Sequence, residues 1–245
     1  SFTHPHDPYV ARRKYWELYE GIAELDPPVE DLGYANQDPH SRRLIDACDS
    51  HKFDITRETV RRARQGYFAN ISYIDDKVGD LLETLRTTRM LDNTIILFTS
   101  DHGDMLGERG LWFKMSFFEG SARVPLMVAG PGVTPRLVNE PVSTLDINPT
   151  LADLAGIDIG EILPWTDGES LVPLMNGGKR TTPVLMEYTA EGSQAPLVCI
   201  REGDWKFSHC ELDPPMLFNL KDDPQELTNL AADPANAALV AEWME

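Results

Sequence analysis

Asp101 and His102 stand side by side where the apolar run Ile95-Ile-Leu-Phe98 ends, and Gly103 follows them at once. A carboxylate and an imidazole are metal-ligand groups, and a buried strand delivers such groups to a site at its carboxyl end. Neighbouring strand residues point to opposite faces, so both side chains reach one ion only where the strand breaks into a loop. Gly103 supplies that break, and Asp104 adds a second acid. The plainer reading of an Asp-His pair is a polar strand end capping the next helix; here the flanks shift the balance toward ligation. Lys114 follows among Trp112, Phe113, Phe117 and Phe118. A partly buried ammonium needs a counter-anion, and a substrate oxyanion would serve, with Glu119 as the competing structural partner. The ordinary alternative is a solvated surface lysine. Together, a metal, a fixed cation and a strand-end pocket make a site for a tetrahedral oxyanion such as sulfate or phosphate.

His4 and His6 flank Pro5, with Pro8 two residues beyond His6, in Ser1-Phe-Thr-His-Pro-His-Asp-Pro8. Pro5 and Pro8 are expected to hold them, with Asp7, in an extended strand-end loop, which suits an acid or base that must stay within hydrogen-bond reach of a substrate. The residues alone leave a plain surface loop equally open. Glu187, Tyr188, Glu191 and Trp205 read first as ordinary strand and loop residues, although a carboxylate among aromatics is also how proteins hold a quaternary ammonium group. Arg123 is expected to pair structurally near the start of its strand, and Cys199 and Cys210 to pack in or beside strands.

The elements that must position these groups follow from hydrophobic periodicity. Residues 10–55 are polar and punctuated by Asp26-Pro-Pro28 and Asp38-Pro39, predicting short surface helices and loops. Thr56 and Thr59 signal a helix start. Val60, Tyr67, Ile71, Ile74, Val78, Leu81, Leu82 and Leu85 then recur at helical spacing to about Arg89. Asp92-Asn93 stops that helix, and strands over 94–99 and 124–129 follow. The expected class is α/β: a mostly parallel or mixed sheet flanked by helices, then a small antiparallel C-terminal sheet. A helix is predicted from Asp146 to Ala155, ended by Gly156. After Pro164 four short strands are expected, over 183–188, 196–201, 205–209 and 216–220, with Glu202-Gly-Asp204 as a tight hairpin turn. Asp222-Asp-Pro-Gln-Glu226 should open a short terminal helix or turn. The expected domains are 1–163 and 164–245.

Composition narrows the functional classes. The net charge of −18 argues against a nucleic-acid partner, whose phosphates need clustered Lys and Arg. It permits an anionic substrate held by a few local cations, and it favours approach of a cationic one. The chain has three cysteines and no Cys-x-x-Cys spacing, so neither a disulfide framework nor a structural zinc site is expected; a reducing, cytoplasmic setting fits better. No apolar run approaches the ~20 residues of a membrane helix, and no membrane partner is expected.

The run Thr-Ser-Asp-His-Gly-Asp-Met-Leu-Gly-Glu108, with Lys114 and Glu119-Gly-x-x-Arg-Val-Pro125, resembles the carboxyl-side half of sulfatases of the alkaline phosphatase superfamily. Phe218-Asn-Leu-x-x-Asp-Pro-x-Glu-x-x-Asn-Leu230 extends the resemblance, and Ser1 to Tyr9 with Met186-Glu-Tyr-x-Ala-Glu-Gly-Ser193 place it nearest the choline-sulfatases. The resemblance implies an alkaline phosphatase-like fold and hydrolysis of a sulfate monoester, choline sulfate first, by a formylglycine nucleophile and a divalent metal. On this chain it implies Asp101 and His102 as metal ligands, Lys114 on the sulfate, and His6 as proton donor to the leaving alcohol. It implies Glu191, with His4, as substrate-binding residues, Glu191 facing the trimethylammonium. His102 stands where many sulfatases carry Asn, which keeps Mn²⁺ open beside Ca²⁺. None of the cysteines lies in a Cys-x-Pro-Ser-Arg context. The expectation is therefore an internal portion of a longer, homo-oligomeric enzyme, inactive alone because its nucleophile lies elsewhere. A phosphonate monoester or phosphodiester hydrolase on the same scaffold, or a non-catalytic anion-binding module, are the alternatives.

Overall fold

Short helices open the chain, α1 (Arg13–Trp16) and α2 (Pro39–Ala47), the second capped by Asp38, whose carboxylate accepts the Ser41 N–H at 3.0 Å. A computed structural model describes every residue except Leu163 and Thr181. The described residues fall into two compact units, Ser1–Pro131 and Gly132–Glu245. The boundary expected after residue 163 falls on a residue outside that description.

In the first unit, α3 (Arg57–Thr87) has the predicted start, Thr56, whose hydroxyl accepts the Thr59 N–H at 3.2 Å. The face it buries differs from the predicted apolar stripe. Arg64, Gly66, Ala69, Asn70 and Ile74 are buried, whereas Ile71, Leu81 and Leu82 stand exposed. Small and polar residues go inward because that face meets hydrogen-bonding loops: Arg64 pairs with the Glu108 carboxylate and donates to the Leu106 carbonyl. After α3 come β1 (Ile96–Thr99), β2 (Met105–Leu106), β3 (Trp112–Phe113), α4 (Glu119–Ala122) and β4 (Leu126–Ala129).

β1 and β4 are antiparallel, with Ile96 opposite Ala129 and Thr99 opposite Leu126. A parallel pair needs a crossover of a dozen or more residues, usually helical. Among the described residues the connection between these strands holds only a 3-10 turn (Glu108–Gly110) and the four-residue α4 besides the β2–β3 hairpin, which reverses the chain. Helices and strands are mixed as expected, but this pair is antiparallel. The opening octapeptide is a turn and no strand, the His6 N–H donating to the Thr3 carbonyl at 3.1 Å.

The second unit contains α5 (Ile147–Leu154), α6 (Ile159–Ile162) and α7 (Val172–Met175), then β5 (Val184–Tyr188), β6 (Leu197–Glu202), β7 (Trp205–Cys210) and β8 (Asp213–Asn219), and α8 (Ala237–Met244). The four strands form one antiparallel sheet in chain order, as predicted, with Glu202 opposite Trp205 at the hairpin and Gly203 in the left-handed region at φ +52°. β8 begins earlier than expected, taking in Pro214 and Pro215. It is an edge strand, where a missing N–H costs no ladder bond. Asp146, fully buried, accepts from the Ser143 and Glu169 N–H groups at 2.8 and 2.9 Å and from Arg180 at 2.6 Å.

The Phe218-to-Leu230 motif locks this unit. Phe218 and Leu217 are core residues. Asn219 accepts the Lys221 N–H, Asp223 the Thr228 N–H, and Asn229 the Leu217 N–H at 3.0 Å. Glu226 reaches under the sheet to Lys206 at 2.8 Å, both side chains 3 % exposed. α8 was not anticipated from sequence; its Trp243 packs edge-on to Phe207 of β7 with ring centres 6.0 Å apart.

Candidate active site

The end of β1 is held against α4 by backbone alone. The Gly103 N–H donates to the Ser121 carbonyl at 2.7 Å and the Asp104 N–H to the Gly120 carbonyl at 2.8 Å. A Cβ on residue 103 would lie 2.2 Å from the Gly120 oxygen, so only glycine allows this approach. The Ser121 hydroxyl in turn donates to the Lys114 carbonyl at 2.6 Å. These contacts bring the loop carrying Asp101 and His102 and the loop carrying Lys114 to one place.

There the side chains converge. The His102 ring donates through Nδ1 to the Gly103 carbonyl at 2.7 Å. That leaves the Nε2 lone pair aimed toward Asp101 Oδ2, 3.6 Å away. Two electron-pair donors turned toward each other repel unless a proton or a cation lies between them. A ligating imidazole with its second nitrogen on a carbonyl is the usual arrangement at metal sites. The pair therefore fits two positions of a divalent-cation site, its mixed oxygen and nitrogen donors suiting Mn²⁺ at least as well as Ca²⁺. Among the described residues no group of three or more such ligands gathers, so further donors would have to come from elsewhere. Asp101 is 84 % exposed and His102 34 %, leaving the pair open to a partner. The slight burial of Asp101 works against its ionisation, but the His102 charge when that ring is protonated, together with the His102 N–H bond, outweighs it and holds the carboxyl below its ordinary range.

Lys114 Nζ donates to His6 Nε2 at 2.8 Å. His6 Nδ1 faces Asp7, donating to its carbonyl at 2.9 Å with the carboxylate at 3.1 Å, which fixes the tautomer. The His6 and His102 rings are 6.4 Å apart, edge to face. Acid, imidazole, ammonium and a second imidazole thus share one surface of the first unit, as an oxyanion site requires. Glu119, the rival partner for Lys114, has its carboxylate 4.0 Å from Arg123. His4 packs its ring against Tyr73 of α3 at 5.6 Å. In the second unit, Glu191 accepts the Tyr188 phenol both at its carbonyl, 3.0 Å, and at its carboxylate, 3.2 Å.

One residue of this neighbourhood was missed from sequence. Tyr9 donates its phenol to Asp104 Oδ2 at 2.9 Å. Burial pushes the Asp104 carboxyl up, opposed by this bond and aided by the Asp7 charge; burial and the Asp104 charge likewise push the Tyr9 phenol up. Asp104 is therefore engaged with the opening loop. Its only available signal was the tyrosine placed just past Pro8.

A sulfatase family profile matches residues 1–157, and a profile for the C-terminal part of N-sulphoglucosamine sulphohydrolase matches residues 107–245. The chain belongs to the sulfatase family. This sulfatase chain is 66 % identical over 234 residues to the choline-sulfatase of Rhizobium meliloti (strain 1021), covering 96 % of the chain and 46 % of the relative. It is 39 % identical to arylsulfatase K of Gallus gallus over 73 % of the chain and 35 % of the relative. Among solved structures, the phosphonate monoester hydrolase of Silicibacter pomeroyi superposes with a TM-score of 0.84 at 26 % identity, over 98 % of this chain and 52 % of that one. The phosphonate monoester hydrolase of Agrobacterium radiobacter superposes with a TM-score of 0.68 at 31 % identity, over 78 % and 41 %. The sulfatase chain thus spans about half the length of these relatives, or less. Among its described residues no helix is long and apolar enough to cross a membrane.

Proposed function

We propose that this chain carries one side of the active site of a sulfuric ester hydrolase that cleaves choline sulfate to choline and sulfate. The convergence of Asp101, His102, Lys114 and His6 on one surface carries the reading, and the extended identity to a choline-sulfatase supports its substrate. Asp101 and His102 would hold a divalent cation, Ca²⁺ or Mn²⁺, whose chemistry is Lewis-acid polarisation of a sulfuryl oxygen. A formylglycine contributed by another part of the protein would be the nucleophile. Lys114 neutralises charge that builds on the sulfuryl oxygens. Its ammonium donates to His6 Nε2 at 2.8 Å, so the proton for the departing alcohol passes from Lys114 to Nε2 and on to the leaving oxygen, and Lys114 is left as the neutral amine. In the second unit Glu191 is the candidate for a trimethylammonium group, to which its carboxylate and the Tyr188 ring would offer charge and a π face; in the first unit His4 is the candidate for a substrate contact. The acidic balance of −18 favours a cationic ester. The whole protein is read as a homo-oligomer.

The likeness to phosphonate monoester hydrolases favours a second reading, cleavage of phosphonate monoesters on the same scaffold. The full-length protein decides between them. Choline sulfate should be the better substrate by kcat/KM, and Lys114→Ala should lower that constant by ~10²–10³, the cost of losing one preorganised charge partner. Faster turnover of a phosphonate monoester would replace the first reading by the second. An unchanged rate in Lys114→Ala would remove Lys114 from the chemistry.

A further inference from the structure

We infer that Tyr9 is a positioning residue, one that fixes His6 in its place relative to the metal-binding loop; this rests on the sulfuric ester hydrolase reading above. Three observations carry it. First, Tyr9 is seated from below on α3. Its carbonyl oxygen lies where a Cβ of residue 66 would be, at 2.2 Å, so Gly66 is the residue that lets the opening loop settle on the helix. Its ring meets Tyr67 edge-on at 5.9 Å.

Second, its phenol crosses to Asp104 Oδ2 at 2.9 Å, and Asp104 is the residue whose N–H is stitched to Gly120. Tyr9 therefore spans the helix and the strand-end loop. Third, the other Asp104 oxygen, Oδ1, is buried with no hydrogen-bond partner among the described residues, so the phenol is what satisfies this carboxylate. The loop between is short. His6 lies three residues before Tyr9, with Pro8 removing one of the free backbone torsions. A fixed Tyr9 thus limits where the His6 imidazole can travel, and the contact from Lys114 completes its placement. Tyr9 itself touches neither Lys114 nor His102 through any hydrogen bond described, so it acts through the loop and not on the ester.

This assignment makes a distinction that a merely structural tyrosine would not. If Tyr9 sets the proton donor, its loss matters for an ester whose leaving group needs a proton and hardly at all for one that leaves as a stable anion. The test uses the full-length protein with choline sulfate, an alkyl ester, and 4-nitrophenyl sulfate, whose phenolate departs unaided. Tyr9→Phe should lower kcat on choline sulfate roughly 10- to 100-fold with KM unchanged, the range expected when a reacting group is misplaced by a fraction of an ångström to an ångström. On 4-nitrophenyl sulfate it should change kcat less than about threefold. Asp104→Asn keeps an acceptor for the phenol and should preserve the wild-type ratio of the two rates. Gly66→Ala lifts the loop without touching the phenol and should reproduce the Tyr9→Phe ratio. Equal losses on both esters, or no loss on either, in a wild type that cleaves both would overturn the positioning role alone. A wild type that cleaves neither ester would overturn the hydrolase reading and this inference with it.

Discussion

Replacing Glu226 by alanine is the sharpest available perturbation of the second unit. The carboxylate lies 2.8 Å from the Lys206 ammonium, and both side chains are 3 % exposed. Removing one member of a buried ion pair costs about 3–5 kcal/mol, because a buried charge is left uncompensated. A domain's whole stability is about 5–15 kcal/mol, so the loss is a large part of it. For a protein of this size it converts to a fall in Tm of roughly 6–20 °C. Glu226→Gln keeps the shape and an acceptor oxygen and should lose roughly half as much. The paired replacement Lys206→Met with Glu226→Leu removes both charges and should recover most of the stability, since an ion pair exchanged for apolar groups of like volume is often neutral or better. Denaturant unfolding followed by tryptophan fluorescence reads this directly, because Trp205 adjoins Lys206 and Trp243 packs on Phe207. The double-mutant cycle then isolates the coupling between the two charges. A Glu226→Ala protein within ~1 kcal/mol of wild type would refute the idea that this pair holds the motif against the sheet.

Gly103→Ala should separate folding from function: the methyl meets the Gly120 carbonyl, so kcat/KM should drop at least tenfold while the far-UV circular dichroism is kept, and an alanine variant of unchanged activity would refute the close-approach argument. At high pH, Tyr67 should titrate late. Burial first, then the Asp104 and Glu108 charges, push its phenol up to about 12. A folded pKa above the unfolded value favours the neutral phenol in the native state. This stability is complete below pH ~10 and drains away as pH rises toward ~12. Phenolate absorbance near 295 nm should show this lag, Tyr67→Phe should remove it, and simultaneous ionisation of every tyrosine would contradict it.

Local chemistry was readable in the chain; long-range pairing was not. The Thr56 cap and the helical repeat located α3, and Glu202-Gly203-Asp204 located the hairpin, because each signal lies within a few residues. The strand end at Asp101 announced itself through the abrupt change from apolar to ligand side chains. The buried face of α3 was misread. Its polar members, Arg64 and Asn70, are inward because of partners far along the chain, and periodicity records only apolar character. The antiparallel β1–β4 pairing depends on how the connection is used, which strand propensity does not encode. α8 is short and apolar but for Glu242, so it carried no amphipathic signature. The Tyr9–Asp104 bond joins residues 95 positions apart, and nothing in either neighbourhood names the other.

The stitching of residues 103–104 to 120–121 closes the intervening chain into a ring of set perimeter, with Lys114 mounted inside it. Side-chain replacement on that ring leaves its circumference alone, whereas one inserted or deleted residue shifts the amine along its track relative to the acid–imidazole couple. The spacing of the charged groups is accordingly stored in residue count. Gly103 and Lys114 apart, descendants of this scaffold are free to exchange the amino acids of the ring, but a change in its length would carry the amine away from that couple.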